Sequence, residues 1–281
     1  MFPTRKFEMT AERLRRERLA KGGDFAEPAS PTREDLLAAH TARWVDAVLE
    51  GRLTLDEETV LELPWSRALA DAHALAVAGT ILACREALAK GMGFHIGGGS
   101  HHAFPDHGEG FCVFNDLACG LRRMFAEGRI RRALVVDLDV HQGNGTNAIF
   151  AGDPDVFTFS MHQRDIYPVP KVPGSLDIEL KAGDGDAEYL RLLEEHLPKM
   201  LDRHKPELAV YQAGVDCYEK DLLGGLRLTK DGLRSRDEKV FKSCRSRGIP
   251  VAVTLGGGYA AEFDDTVELH AQTAKTAMEF A

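Results

Sequence analysis

The stretch Ala133-Leu-Val-Val-Asp-Leu-Asp-Val-His-Gln-Gly-Asn-Gly-Thr146 constrains the fold more than any other part of the chain. Its apolar run reads as a buried strand that stops abruptly at Asp137, Asp139 and His141, before glycines and a new helix. In an open parallel sheet, ligands bind beyond the carboxyl ends of the strands. Two carboxylates and an imidazole gathered there form an oxygen-and-nitrogen donor set suited to a divalent metal.

The flanking sequence supplies the rest of such a sheet. Helix is expected over 4–21, then from Thr32, a plausible cap, in short pieces to Glu50. A long Ala/Leu-rich helix follows over 66–90, with Gly91 as its stop. Strands are expected at 93–96, 132–140, 155–161, 207–213 and 249–255. Helices are expected at 115–127, 144–151, 186–204, 230–247 and 262–280, with long loops at 163–185 and 214–229. Strands alternating with helices define an α/β fold, a mostly parallel open sheet with helices on both faces. No repeat, low-complexity tract or dividing linker interrupts the 281 residues, so one domain over 1–281 is expected.

Composition narrows the function. A formal charge of −9 argues against nucleic-acid binding, which needs clustered Lys and Arg. The basic cluster Arg13 to Arg18 alternates with Glu and reads as a solvated helix face. The five cysteines are odd in number and widely spaced, fitting a reducing compartment better than a disulfide framework. No signal peptide is visible, and no apolar segment is expected to approach the ~20 residues of a membrane span. Cytoplasmic location is the expectation.

Every strand–loop junction from residue 93 onward ends in chemistry. The strand at 93–96 leads to His101 and His102; the central strand delivers Asp137, Asp139 and His141; the next ends in Ser160 and His162. The last two run into Gly214-Val-Asp216 and Gly256-Gly-Gly-Tyr259. Singly, an Asp here could be a helix cap, a His a structural group, and a Gly run only a turn. Gly97-Gly-Gly lacks the Lys-Ser/Thr of a phosphate loop. Their joint occurrence at one sheet edge is what carries weight. Asp139, His141 and Asp216 would give a metal three ligands and an open position. The His pair offers a base and an acid, and Tyr259 a hydroxyl for a carbonyl oxygen gaining charge. That set describes hydrolysis of an amide or ester.

Gly97-Gly-Gly-Ser-His-His-Ala, Gly110-Phe-Cys-Val-Phe-Asn-Asp, Asp137-Leu-Asp-Val-His-Gln-Gly-Asn-Gly, Gln212-Ala-Gly-Val-Asp and Gly256-Gly-Gly-Tyr occur here in this order. With Leu63-Pro-Trp-Ser and Gly224-Gly-Leu-Arg-Leu-Thr, they closely resemble the zinc-dependent histone deacetylases, in particular the class IV branch and its bacterial relatives. The resemblance covers nearly the whole chain and implies the arginase/deacetylase fold. It implies that Asp139, His141 and Asp216 bind zinc, or iron(II) in its place. It makes His102 the general base and acid, His101 its electrostatic partner oriented by Asp137, and Tyr259 the group that polarises the scissile carbonyl. It also implies a potassium ion held by Asp137, Ser160 and backbone carbonyls of Asp139, His141 and Met161. Gly110, Phe111, Tyr167 and Leu223 fall where an acyl-lysine tunnel is lined.

Two departures from the class I pattern stand out. Asn144 partners the second active-site His where class I enzymes have Asp, so His102 is expected to lose its proton more easily. Relatives also begin with a short strand before a Phe-Pro-x-x-Lys-like segment, whereas here the sequence starts at Met1-Phe2-Pro3, so the edge strand is either missing or lies ahead of the chosen start.

Arginase-type hydrolases share the fold but need two manganese ions. The positions that would supply the extra carboxylates are Gly143 and Gly214, which argues against a binuclear site. The implied substrates are an acyl-lysine peptide or protein, with acetyl or longer fatty acyl groups. The alternatives are an acylated small molecule such as an acetylpolyamine, and a non-catalytic acyl-lysine-binding module, disfavoured because every catalytic position is intact.

Overall fold

The computed structural model describes residues 4–281. The central strand forms over Ala133–Asp137, shorter than the expected 132–140, and all five residues are buried. Residues 138–140 leave regular strand geometry while still bonded to the flanking strands through the Leu138 N–H and the Val140 carbonyl, and they carry the ligand-bearing turn. Six strands pair in parallel: β1 (Met92–Phe94), β2 (Ala133–Asp137), β3 (Val156–Gln163), β4 (Leu176–Leu180), β5 (Leu208–Gln212) and β6 (Val251–Thr254). Their order is β1-β6-β5-β2-β3-β4. From β2 the chain builds outward through β3 to β4, then returns to place β5 and β6 on the other side. The strand order therefore reverses between β2 and β5, where an open α/β sheet forms its ligand crevice.

Side chains alternate across the sheet as the pleat requires. Leu134 and Val136 join a core layer with α8 (Asp186–His204), α9 (Lys230–Arg245) and α10 (Phe263–Phe280). Ala133 and Val135 join the opposite layer with α3 (Ala42–Glu50), α5 (Arg67–Lys90) and α6 (Asp116–Ala126). The remaining helices are α1 (Arg5–Arg16), α2 (Arg33–Leu37), α4 (Leu55–Leu61) and α7 (Asn144–Ile149). Thr32 caps α2 as expected, accepting the Asp35 N–H, and Gly91 ends α5 at φ 91°.

Three expectations need correction or placement. The loop expected over 163–185 contains β4, an edge strand whose Leu-Asp-Ile-Glu-Leu alternates on a half-exposed sheet margin. α5 is, by length and composition, apolar enough to cross a membrane, contrary to the expectation that no segment is. Half of its most apolar window is buried, and it packs on α6, β1 and β6. The question of a strand before Met1-Phe2-Pro3 lies outside the described residues.

Candidate active site

Asp139, His141 and Asp216 converge at the β2/β5 seam. One ligand atom from each lies within 4.8 Å of the other two. His141 Nδ1 stands 3.2 Å from Asp139 Oδ1 and 3.3 Å from Asp216 Oδ2. The outer oxygens are held by backbone: Asp216 Oδ1 accepts the Val140 N–H at 2.8 Å, and Asp139 Oδ2 accepts the Gly257 N–H at 3.0 Å. Asp216 Oδ2 is buried without a hydrogen-bond partner. Burial, then the facing Asp139, raises the Asp216 pKa to about 7. Two buried carboxylates beside an imidazole, with one oxygen unsatisfied, fit a divalent cation better than any arrangement of protons. Among the described residues, these three form the group of ligand-type side chains close enough to hold a metal ion.

The glycines beside them have a structural reason to be glycines. A Cβ at Gly214 would fall on the Asp139 carboxylate, and one at Gly143 would fall on Asp137 Oδ2 and crowd His101. At the positions that could have supplied a second metal's ligands, even a Cβ would force a site carboxylate to move.

The two active-site histidines are tied to different partners. His101 Nδ1 lies 2.7 Å from Asp137 Oδ2, and His102 Nδ1 lies 2.7 Å from Asn144 Oδ1. Their rings sit 4.0 Å apart. Burial opposes charge on His101, but the Asp137 and Asp139 carboxylates outweigh it and raise its pKa to about 9. Burial, then positive charge on His101 and His141, pushes His102 well below its ordinary value, while the Asn144 hydrogen bond pulls the other way. The low His102 value therefore comes from its surroundings rather than from the amide.

A cavity of about 1280 Å³ is lined by His101, His102, Asp139, His141 and Tyr259, and by all four residues expected in the tunnel: Gly110, Phe111, Tyr167 and Leu223. The same cavity also reaches Leu14, Phe25, Leu75, Ala277 and Met278. Gly110 and Phe111 both adopt positive φ, 54° and 67°, a strained choice for the phenylalanine. Burial, then the carboxylates of Asp216 and Asp139, holds the Tyr259 hydroxyl well above the usual tyrosine range, in its protonated form. Asp137, Asn144 and Asp216 stand behind the cavity wall, reached through His101, His102 and His141. Ser160 and Met161 lie on β3, where strand register sets Ser160 beside Asp137. The Ser160 hydroxyl is 2.9 Å from His162 Nδ1.

Several further side chains support the site. Asp116 accepts the backbone N–H groups of Gly99 and Ser100, and so shapes the loop that presents the histidine pair. Gln212 donates to the Gly99 carbonyl and accepts from Thr254. Lys6, fully buried, donates to the Gly256 carbonyl at 2.8 Å and lies 4.9 Å from the Tyr259 ring centroid. Arg236, also fully buried, donates to the carbonyls of Leu138 and Gly214, each shortly before a ligand aspartate, and pairs with Asp237. Asp116, Gln212 and Lys6 lie inside recognisable motifs. Arg236 and Glu109, which bonds Asn144, do not.

A family model described as the histone deacetylase domain matches residues 1–274, and the chain belongs to that family. It is 41% identical over 269 residues to an uncharacterized protein of Picosynechococcus sp., covering 96% of this chain and 90% of the relative. It is 33% identical over 262 residues to a probable deacetylase of Methanothermobacter thermautotrophicus, covering 85% and 75%. Histone deacetylase 2 of Arabidopsis thaliana is 40% identical over 186 residues, covering 65% of this chain but only 48% of the plant protein. Among solved structures, an HDAC homolog complexed with SAHA matches with a TM-score of 0.85 at 24% identity, covering 96% of this chain and 77% of that one. The fold is thus that of the histone deacetylases, and the chain is a hydrolase of that family.

Proposed function

We propose that residues 1–281 form one catalytic unit that hydrolyses the Nε-amide of acyl-lysine, using a divalent metal held by Asp139, His141 and Asp216. Zinc suits this oxygen-and-nitrogen set, with iron(II) as the competing ion. The observation that carries the reading is the convergence of Asp139, His141, the His101/His102 pair and Tyr259 on one cavity, with Asp216 completing the ligand triad behind its wall.

When bound, the metal supplies Lewis-acid polarisation and lowers the pKa of water. The chain's own groups do the rest. Asn144 Oδ1 can only accept, so His102 carries its proton on Nδ1 and keeps Nε2 free to take one from the attacking water. The same nitrogen returns that proton to the leaving lysine amine. Tyr259, kept protonated, donates to the carbonyl oxygen as negative charge develops on it. His101, held toward its charged form by Asp137, adds positive potential beside the reaction. Asp137, Ser160 and the Met161 carbonyl would hold a potassium ion behind the ligand turn.

The cavity volume exceeds the roughly 300–1,000 Å³ of ordinary small-molecule sites, which supports acyl groups longer than acetyl. Asn144 and the Gly224-Gly-Leu-Arg-Leu-Thr segment support the class IV-like branch. Five free, buried cysteines are compatible with the reducing cytoplasm.

The test is an acyl-chain panel, C2 to C14, on one lysine peptide beside acetylated polyamines, with metal content measured on the same samples. Hydrolysis of the peptides by metal-loaded protein is expected, extending to the longer chains. Turnover of the polyamines alone would replace this substrate class. Loaded protein that hydrolyses neither would overturn the enzymatic reading.

A further inference from the structure

Asn144 presents a problem that an aspartate in its place would not. An amide has an accepting end and a donating end of nearly equal size, so either orientation fits the same space. Only with Oδ1 toward His102 is the ring compelled to carry its proton on Nδ1. Turned over, the amide would donate to Nδ1 and move the proton to Nε2, leaving the cavity side of the ring unable to accept.

Glu109 settles the orientation. Its Oε1 lies 2.5 Å from Asn144 Nδ2, and an ionised carboxylate has no proton to offer the other end of the amide. The same oxygen accepts the Tyr167 hydroxyl at 2.5 Å, while Oε2 faces His107 Nε2 at 3.6 Å. Backbone geometry fixes Glu109 itself: its carbonyl accepts the Cys112 N–H at 2.9 Å, closing a tight turn around Gly110 and Phe111. Burial opposes its charge, but His107, Tyr167 and Asn144 outweigh it and hold the carboxyl below its ordinary range.

We propose that Glu109 is the positioning residue that locks the Asn144 amide and, through it, the Nδ1–H tautomer of His102. The hydrogen-bond sense then runs without choice from a loop carboxylate to the atom facing the cavity. The inference rests on the reading of His102 as proton acceptor. It also makes the wall residue Tyr167 and the proton-transfer group share one anchor.

The test compares wild type, Glu109→Ala and Glu109→Gln as full-length zinc-loaded protein, by ¹⁵N NMR of labelled histidines with His102 assigned through His102→Gln. Wild type is expected to show one His102 tautomer, protonated on Nδ1. Glu109→Ala should show a mixture and lose about tenfold in kcat. Glu109→Gln, whose amide can either accept or donate and so fits both orientations of Asn144, should recover only part of either. In a Tyr167→Phe background Glu109→Ala should still lower kcat, and in an Asn144→Ala background it should not. A single Nδ1–H tautomer retained in Glu109→Ala would overturn the proposal, as would an effect that survives removal of Asn144 or vanishes with the Tyr167 hydroxyl. The tautomer measurement needs no substrate. An inactive wild type would sink the acyl-lysine reading and still leave the Glu109 lock decided by the spectra.

Discussion

Asp216 Oδ1 accepts the backbone N–H of Val140, the residue that follows Asp139, so the loop of one ligand carboxylate braces the other. The contact orients Asp216 and leaves Oδ2 turned toward His141 with no proton donor assigned to it. Asp216→Asn and Asp139→Ala are therefore expected to abolish stoichiometric divalent-metal binding and reduce turnover to the assay background. Elemental analysis with an activity assay on the same preparation checks both.

Gly214 faces a second demand from the same carboxylates. Because a Cβ there would strike Asp139, Gly214→Ala should destabilise the protein by about 1–3 kcal/mol, as overpacked sites do. Urea unfolding measures the loss, and metal affinity should fall with it. An unchanged midpoint would mean that the loop relaxes at no cost.

Tyr259→Phe removes only the hydroxyl expected to meet the carbonyl oxygen. If that bond strengthens as charge develops, kcat should drop about 10²- to 10³-fold with KM little altered. Steady-state kinetics on the best substrate of the acyl panel decides this. A rise in KM alone would assign Tyr259 to binding.

Arg236 and Asp237 form a fully buried pair behind the seam, and Arg236 reaches the carbonyls of both ligand-bearing loops. Replacing one partner strands the other charge, so Arg236→Met should cost about 3–5 kcal/mol of stability. Arg236→Lys keeps the charge but cannot span two carbonyls and an aspartate, and should be only partly restored. Chemical denaturation with metal titration separates stability from ligand placement.

His40 provides a pH test away from the Asp139, His141 and Asp216 group. Its Nε2 accepts the Asn115 N–H at 2.9 Å and its Nδ1 lies 2.9 Å from the Phe104 carbonyl, an arrangement open only to the neutral ring. Burial lowers its pKa from 6.5 to about 4. Between those values the unfolded chain binds more protons, so stability is complete above 6.5 and falls as the pH drops toward 4. That difference corresponds to about 3 kcal/mol. His40→Gln, which can accept and donate without titrating, should flatten the slope in urea unfolding at pH 7 and pH 5.

The ligand strand, the histidine pair and the tyrosine turn were all legible in the sequence, because each is a short motif at the end of an apolar run. Strand β4 was not, because Leu176, Ile178 and Leu180 alternate with acidic residues on an edge, and a search for continuous apolar runs passes over that pattern. Thr32 and Gly91 were readable because caps act within a few residues. Glu109 and Arg236 were hidden for the opposite reason. Glu109 meets Asn144 and Tyr167 across 35 and 58 residues, and Arg236 meets Leu138 across 98, so only the folded chain shows what they do.

The reversal of strand order between β2 and β5 has a consequence for timing. Asp139 and His141 emerge early in synthesis, while Asp216 follows only after β3, β4 and α8 have been made. Chains grow from the amino terminus. An amino-terminal fragment ending before β5 lacks Asp216 and cannot assemble the three-residue group. If the three residues hold a metal as proposed, all three ligands are available only once the loop after β5 has been made.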